Sequence, residues 1–455
     1  MEYYPIKSIK YLLSLLAIPL LVSAGETHAL SIEESIHIAL ENNPSIKIAE
    51  TKVADGRQSV AQAIGAALPA VNMQGSKIVD EVVRPIDNFL YVPGVVPDPA
   101  DPITFLMANP TLEFDMTRTY QMDLSVTQPL FTGGKIALGT IMARQGLNLL
   151  RSQHEQEMNN LAYNVIQAYM GLLVTKEFLA VAEDGYNTAR EFFEISELLY
   201  NQGMISKLDL LQAEVQAANL LPQKIKAENG VTMAEAGLRI LLDMDEDTEL
   251  VLLDSMRYTP IEYDLDDLRA RALLSRAELQ QMEISKSLSS LNVNMARSDF
   301  LPSVALSWSY SKFGDEFDTF SDWDESNMLA LGFSYNLFSG GARWSKVQQA
   351  KIARKQVDYG YDALKDAIML DVEQNYLALV EAQNNIKSQQ KTVMQAEEAA
   401  RLAKIQYREG AITNLQANQV QISLTAAKAN YLQALFSYTL AEAGIKRAVG
   451  ESLYH

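Results

Sequence analysis

The sequence predicts an α+β fold in which one unit of long coiled-coil helices and short amphipathic strands occurs twice. The segment Phe131–Gly134 (FTGG) returns 207 positions later as Phe338–Gly341 (FSGG), and more than 100 residues align at this offset without a gap. Apolar residues recur every seven positions over long stretches, and shorter stretches alternate apolar with polar residues. A duplicated unit of this length indicates one supersecondary assembly used twice.

The N-terminus has the pattern of an export signal, predicted over residues 1–24. Lys7 and Lys10 precede an apolar stretch of about 12 residues, and Val22–Ala24 (VSA) is typical of a cleavage site. That stretch is too short to span a bilayer as a helix. We expect the first repeat over 25–244 and the second over 245–455. Because no comparably uninterrupted apolar segment follows, a membrane span in the mature protein is expected to use strands.

Composition excludes several classes of protein. The chain has a net charge of −19, which argues against nucleic acid, or anionic lipid, as the main partner. It contains no cysteine, which excludes disulfides, thiolate metal sites and an acylated N-terminal cysteine. With 48% apolar residues it is able to bury a large core.

Each repeat is expected to contain one very long helix, the first from about Lys135 to Gln202. Its apolar residues and those of the second repeat fall at Val165, Leu172, Leu179, Tyr186, Phe193 and Tyr200, and at Val372, Leu379, Ile386, Val393, Ala400 and Tyr407. Small residues three positions later, such as Ala182, Ser196 and Ala396, favour knobs-into-holes packing in a left-handed coiled coil. A helix of this length extends roughly 100 Å.

Shorter helices complete each repeat. Returning helices are expected from about Lys207 to Leu242, with a kink at Pro222, and from about Asn414 to Val449. Opening helices are expected at about 31–66 and 265–298.

Four strands are expected, near 70–79, 120–127, 303–312 and 329–337. They alternate apolar with small polar residues and carry the aromatic residues Tyr120, Phe131, Phe313 and Phe338 near their ends. A soluble sheet packed on helices gives the same pattern, but the export signal and the helix lengths favour transmembrane β-strands. Four strands are too few to close a barrel, so several chains must contribute.

The loops between paired strands differ. About 38 residues with six prolines separate the first two strands. The loop from Gly314 to Glu325 carries the acidic residues Asp315, Glu316, Asp318, Asp322, Asp324 and Glu325. These acids are either a solvated loop or a calcium site, although their spacing fits no EF-hand.

Four doubled motifs resemble a known family. They are the opening Ala39–Pro44 (ALENNP), Leu-Pro at 68–69 and 301–302, the FTGG/FSGG pair, and Tyr-x-x-Gly at 200–203 and 407–410. In this order they resemble the TolC family of outer-membrane efflux and secretion channels. The resemblance implies a homotrimer whose strands form one twelve-stranded barrel in the cell outer membrane, surrounded by lipid and continued by a helical coiled-coil barrel into the periplasm. It also implies that Met244 to Leu268 and the C-terminal residues surround the helices at mid-height.

The same resemblance implies a passive exit duct with two kinds of partner, a periplasmic adaptor (membrane fusion) protein and an inner-membrane pump or ABC transporter. The duct would serve a tripartite efflux pump or a type I secretion system. The exported substrate is not encoded in this chain.

The resemblance places the periplasmic entrance at the two hairpin turns. The implied gate residues are Tyr200, Gly203, Asp209, Tyr407, Gly410, Ile412, Gln416 and Gln419. Family members carry an arginine and two acids where this chain has Ile412, Gln416 and Gln419. Because Tyr407 and Asp209 match their family counterparts, a hydrogen bond between them is expected to help close the tip. The alternative is that these are ordinary helix-start residues of a coiled-coil turn.

No enzyme is predicted. The four histidines are scattered, and neither a phosphate-binding loop nor a metal-spaced cluster occurs, so we expect no catalytic residue, cofactor or metal. The acidic pairs at 33–34 and 266–267 begin helices, where they favour the helix dipole. A coiled-coil surface fibre and an exported hydrolase are the remaining alternatives. The doubled strand pairs argue against the fibre, and no catalytic constellation supports the hydrolase.

Overall fold

A computed structural model describes residues 27–77, 86–87, 90–98, 100–108, 111–112, 120–314, 317 and 320–454. The predicted signal peptide lies outside these residues, as do Asp315, Glu316 and Asp318 of the acidic loop. The predicted choice between a solvated loop and a calcium site falls on these residues.

The helices dominate the described chain. They are α1 (Ile32–Asn42), α2 (Pro44–Gly65), α3 (Pro102–Ala108), α4 (Lys135–Asn201), α5 (Lys207–Leu242), α6 (Leu265–Ser275), α7 (Ala277–Ser298), α8 (Ala342–Arg408) and α9 (Asn414–Ala448). The expected long helices are present, since α4 and α8 each contain 67 residues. Pro222 lies inside α5, which continues through it.

Each opening helix, predicted as a single element, is divided in two. Asn43 has an extended backbone with ψ of 130°, because the residue before a proline is disfavoured in the helical region. Arg276 is extended as well, with ψ of 123°, although no proline follows it. Its guanidinium donates to Asp371 at 2.8 Å and to the carbonyl of Ala448 at 3.2 Å, so tertiary contacts hold this second break.

The strands are β1 (Thr27–Leu30), β2 (Ala70–Lys77), β3 (Ile86–Asp87), β4 (Thr111–Leu112), β5 (Tyr120–Phe131), β6 (Glu249–Leu252), β7 (Ser303–Gly314) and β8 (Asp324–Ser334). The four predicted strands form one antiparallel sheet in the order β2-β5-β7-β8. The last strand begins and ends earlier than expected, because Asp324 already pairs with Phe313. The sequence analysis missed the parallel pair β1–β6, whose four-residue strands are too short to show a period.

The described chain divides into two compact units. Unit 1 comprises the described residues within 1–48, 155–276 and 366–455, and unit 2 comprises those within 49–154 and 277–365. Each unit therefore combines segments from both halves of the sequence.

The sheet of unit 2 has one apolar and one polar face. On the apolar face Val126 lies opposite Val71 and Trp308, and Trp308 lies opposite Leu329. On the polar face one row joins Gln74, Asp123, Ser311 and Ser326 across all four strands, and Ser311 donates to Asp123 at 2.5 Å. Phe313, expected among the interfacial aromatics, lies in register with Gln121 on the polar face.

The core of unit 1 forms where α1, α4, α5 and the β1–β6 pair meet. Val165 and Leu172 of α4 are fully buried, as the seven-residue pattern predicts. The small residue three positions on, Ala168, is only half-buried, and Tyr169 completes the buried stripe instead. The Tyr169 hydroxyl lies 2.8 Å from the Leu30 carbonyl and 2.9 Å from Asp254. Burial raises the pKa of Tyr169 to about 12, so it stays a neutral hydrogen-bonding group.

One described helix meets the length and composition of a membrane span, contrary to the expectation from sequence. An 18-residue window of α4 has a mean hydropathy of 1.4, and 28% of it is buried within the chain. The same helix supplies the buried stripe of unit 1, so part of the apolar character of α4 serves the core.

A candidate gate at the helical hairpin turns

The two hairpin turns of unit 1 are built alike. Gly203 and Gly410 adopt left-handed φ values of 73° and 69°, which favour glycine. After α4 the Met204 amide donates to the Leu199 carbonyl at 2.9 Å, and after α8 the Ala411 amide donates to Gln406 at 2.8 Å. Each of these bonds joins an amide to the carbonyl five residues earlier, and it satisfies a carbonyl that has no partner within the helix. The glycine of Tyr-x-x-Gly in each repeat therefore has a direct structural cause.

Asp209 and Gln416 occupy equivalent positions in the two hairpins and cap the returning helices. The Asp209 carboxylate accepts from the Ser206 amide at 3.1 Å and from the Ser206 hydroxyl at 2.7 Å. The Gln416 side-chain oxygen accepts from the Thr413 amide at 2.9 Å. In both cases the cap hydroxyl accepts from the third helical amide, which completes a capping box. Helix-start roles are thus present at both positions, as the alternative interpretation expected.

Tyr407 has other partners than the predicted Asp209. Its side chain is 2% exposed, and its hydroxyl lies 2.5 Å from the Ser196 hydroxyl and 3.1 Å from the Asn414 amide nitrogen. The expected hydrogen bond between Tyr407 and Asp209 is therefore wrong for this chain. The sequence marks both residues but does not show that each finds a nearer partner.

A chain of hydrogen bonds passes from α9 through Tyr407 to α4. The Asn418 side chain donates to Asn414 at 2.5 Å, and Asn414 donates to the Tyr407 hydroxyl. Ser196 donates to the Phe192 carbonyl at 2.7 Å, which leaves its oxygen to accept from Tyr407. We call Ser196, Tyr407, Asn414 and Asn418 the tip network.

All four residues of the tip network are at most 8% exposed. Sequence reasoning assigned Ser196 only a packing role and missed both asparagines. The available signal was the presence of polar side chains on the buried face of a helix, where they require partners.

Apolar contacts surround the tip network. The Phe192 ring meets the Tyr407 ring edge-on at 5.2 Å between centroids, and Ala417 belongs to the same buried cluster. Ile412, the residue found where family members carry an arginine, is half-buried and packs against this cluster. Ile412 thus contributes an apolar contact within one chain.

An ion cluster adds a second link between the hairpins. Glu191 on α4 accepts from Lys404 at 2.6 Å and closely from Arg408, both on α8. Partial burial alone would raise the pKa of Glu191, but the bonds to Lys404 and Arg408 outweigh it and hold the pKa below its usual value. Farther from the turns, Lys428 of α9 lies 3.3 Å from Asp184 of α4. We call Glu191, Lys404 and Arg408 the ion clamp.

The remaining predicted gate residues lie on the surface of the single chain. Tyr200, the counterpart of Tyr407, is 37% exposed, with the Lys207 ammonium 5.3 Å from its ring centroid. Gly203, Gly410, Gln416 and Gln419 are exposed as well. Within the described ranges no group of three or more His, Asp and Glu residues is arranged to hold a metal ion.

Comparisons with known proteins place the chain among transport proteins. The pattern of the family described as "Outer membrane efflux protein" matches residues 35–243 and 268–451. The alkaline protease secretion protein AprF of Pseudomonas aeruginosa is 23% identical over 95% of this chain and 86% of its own length. The outer membrane protein TolC of Escherichia coli is 21% identical over 72% of this chain and 68% of its own.

Solved structures give the same result for the fold. The CmeC outer membrane channel of Campylobacter jejuni superimposes with a TM-score of 0.73 at 16% identity, over 92% of this chain and 85% of CmeC. Long helices combined with a four-stranded antiparallel sheet are therefore common to both proteins.

Proposed function

Because this chain belongs to the outer membrane efflux protein family, we propose that it forms a homotrimeric channel that serves as a passive exit duct across the outer membrane and periplasm. The protein is an outer membrane channel of the TolC family, and its function is transport rather than catalysis. The proposal adds the trimer, the passive mechanism and the partners.

The observation that carries the trimer is the sheet of unit 2. Its outer strands β2 and β8 each pair on one side only among the described residues. An open sheet with an apolar face of Val, Leu, Trp and Phe residues exposes both unpaired backbone groups and apolar surface, and neither is stable inside a bilayer. Three copies supply twelve strands, which is enough to close a barrel with no free edge.

The polar face would line the lumen of that barrel. The row of Gln74, Asp123, Ser311 and Ser326 would then occur three times around the channel and keep it hydrated. The apolar face would contact lipid. This arrangement is typical of water-filled outer-membrane barrels.

The hairpin turns would form the periplasmic entrance, and the tip network and ion clamp would set how far the two hairpins of one chain separate. Gln416 and Gln419 would add no negative charge at this entrance, so we expect only weak block by multivalent cations.

A periplasmic adaptor and an inner-membrane transporter would complete the machine, because the duct supplies no energy. The family description favours an efflux pump. A type I secretion system is the second candidate, because AprF, a protease secretion protein, matches 95% of this chain. A neighbouring gene for a proton-driven pump would indicate efflux, and one for an ABC transporter beside a secreted protein would indicate secretion.

The test of the trimeric duct uses the full chain in detergent and in planar bilayers. The measured mass should be about three times that of the mature subunit, and the same preparation should give stable single-channel steps. A stable monomer, or a trimer that conducts no ions under any condition, would overturn the proposal.

A further inference from the structure

We propose that the helix end of the sheet in unit 2 carries a binding surface for anionic glycerophospholipid headgroups, which would be those of the periplasmic leaflet. The surface consists of Lys135, Asp299, Phe300, Arg343, Trp344 and Lys346, and we call it the basic collar. It rests on the proposed function in one respect, namely that the sheet spans the outer membrane with its helices on the periplasmic side.

The first step concerns where the apolar face of the sheet ends. A register shift between Pro129 and Phe131 turns Phe131 to the apolar face, where it lies opposite Val304. Val304 in turn lies opposite Phe333. Phe131 and Phe333 are 44% and 69% exposed, so the last row at the helix end presents two aromatic rings. Aromatic girdles of this kind mark the membrane–water boundary of barrels.

The basic collar begins within a few residues of this aromatic row. Asp299 accepts from Lys135 at 2.6 Å and from Lys346 at 2.6 Å, and these bonds lower its pKa. Arg343 donates to the Asp299 carbonyl at 3.2 Å and stacks on Phe300, with 5.0 Å from the guanidinium carbon to the ring centroid. No carboxylate partner for Arg343 occurs among the described residues. Two lysines therefore share the Asp299 carboxylate, and the Arg343 charge adds to this surface without a carboxylate of its own.

The excess positive charge is accessible. The side chains of Lys135 and Lys346 are 46% and 60% exposed, whereas that of Asp299 is 18% exposed. Each ammonium has three donors and uses one on Asp299, so the others point to solvent or a ligand. Trp344, in the first turn of α8, is 63% exposed. An exposed indole at this end of the sheet is suited to the membrane–water interface, where it would report on nearby lipid.

The first turns of α4 and α8 carry basic residues although the chain as a whole is acidic. Helices α1, α5 and α6 carry acids in their first turn, as the helix dipole favours. The first turns of α4 and α8 carry none, and Lys135 and Arg343 stand there instead. The net charge of −19 argues against anionic lipid as the main partner of the whole protein, but a cluster of basic residues at a membrane surface attracts anionic lipid locally.

The experiment uses the chain's three tryptophans, of which two are removed to leave one reporter. In a Trp308→Phe/Trp323→Phe background Trp344 is the only tryptophan, and excitation at the red edge of the absorption band selects it over the tyrosines. The trimer is placed in bilayers of phosphatidylcholine that contain a minor fraction of either brominated phosphatidylglycerol or brominated phosphatidylcholine. We expect the anionic brominated lipid to quench Trp344 more strongly than the zwitterionic one at equal fraction.

Charge variants in the same background test the residues. Lys135→Gln/Lys346→Gln should weaken the preference for phosphatidylglycerol by roughly fivefold per lysine. Asp299→Asn should strengthen it by a similar factor, a gain that general damage to the fold would not produce. Lys351→Gln/Lys355→Gln, at exposed positions farther along α8, is the matched control and should leave the preference unchanged.

The contrary outcomes are distinct. If both brominated lipids quench Trp344 equally, the collar contacts the membrane but does not prefer anionic headgroups. This outcome overturns the headgroup site. If Trp344 is not quenched while Trp308 alone (Trp323→Phe/Trp344→Phe) is quenched, lipid does not reach the collar, and this also overturns the headgroup site. If neither tryptophan is quenched by any brominated lipid, the sheet does not span the membrane and the proposed function fails with it.

Discussion

Tyr200 and Tyr407 are the same residue of the duplicated unit, yet they have different environments. Tyr407 is 2% exposed and hydrogen-bonded within the tip network, whereas Tyr200 is 37% exposed. The seven-residue pattern placed them at equivalent positions of the two apolar stripes, one in each repeat. It did not distinguish them, because the partners Ser196 and Asn414 come from two other helical segments.

The tip network predicts the effect of removing one hydroxyl. Tyr407→Phe deletes the bonds to Ser196 and Asn414 and should weaken the link between the hairpins by about 1 kcal/mol. If the hairpins form the entrance, single-channel recordings should show an open fraction or a conductance above that of the parent, at most by about fivefold. Tyr200→Phe is the matched control in the other repeat and should behave as the parent. Identical recordings from the parent, Tyr407→Phe and Tyr200→Phe would show that the tip network does not control the gate.

The sequence predicted which residues form the hairpin turns better than it predicted which side chains contact each other between helices. Two local features mark the turns: a glycine at positive φ, and a helix cap followed three residues later by an acid or amide. Both depend only on neighbouring residues, so the sequence locates Gly203, Gly410, Asp209 and Gln416. The Tyr407–Asp209 bond was a nonlocal inference from a resemblance. It failed because Asp209 already satisfies its own helix end.

At the scale of elements, periodicity predicted length better than boundaries. The pattern of seven located α4 and α8, since many turns contribute to it. It missed the break at Arg276, which depends on Asp371 and on the end of α9. The buried stripe also shifts along α4, so that Phe192 rather than Phe193 is fully buried near the turn. The helix has 3.6 residues per turn, and a strict repeat of seven drifts against it.

The ion clamp makes the link between α4 and α8 dependent on pH. The pKa of Glu191 is below its usual value of 4.5 in the folded chain, so the clamp contributes fully above that value. Its contribution is lost as pH falls through the lower, folded pKa. Glu191→Gln should therefore increase hydrogen exchange near the first turn at neutral pH, by up to about fivefold for a partly exposed ion cluster. In strong acid the difference from the parent should vanish.

The control for the ion clamp lies three residues away. Glu194 pairs with Arg190 on the same helix at 3.6 Å and is 62% exposed, so it does not join α4 to α8. Glu194→Gln should leave hydrogen exchange at the turn close to that of the parent. An equal effect of both substitutions would mean that the helix, not the link between hairpins, responds to the charge.

At the scale of the whole molecule, the sequence predicts an assembly of several copies, of which a single chain shows one part. Four strands are too few to close a barrel, so we predicted that several chains contribute strands to one barrel. In the single chain the sheet is open, with β2 and β8 at its edges. Antiparallel order is compatible with closure, because β2 and β8 run in opposite directions and a β8 of one copy is able to pair with β2 of the next. Which residues meet at that junction depends on a second copy, so neither sequence nor a single chain determines it.

The absence of cysteine from the chain permits a direct test of this closure. We expect Met73→Cys on β2, combined in turn with Asn327→Cys, Leu329→Cys or Leu331→Cys on the same face of β8, to form a disulfide between copies in at least one register. Neighbouring strands bring Cβ atoms close enough for that bond. Mild oxidation should then yield covalent dimers and trimers on denaturing gels, and nothing larger.

The control pair for closure is Met73→Cys with Tyr310→Cys. These residues lie in one row of the same face, but β5 separates their strands, so the distance of two strand spacings, about 10 Å, prevents a disulfide within the sheet. A ladder from this pair would indicate random collision rather than strand pairing. If every β2–β8 pair stays monomeric while the control also stays monomeric, the edges do not meet and the closed barrel is wrong. A ladder that continues past the trimer would keep the pairing of β2 with β8 but require a barrel of more than twelve strands, because each added copy contributes four.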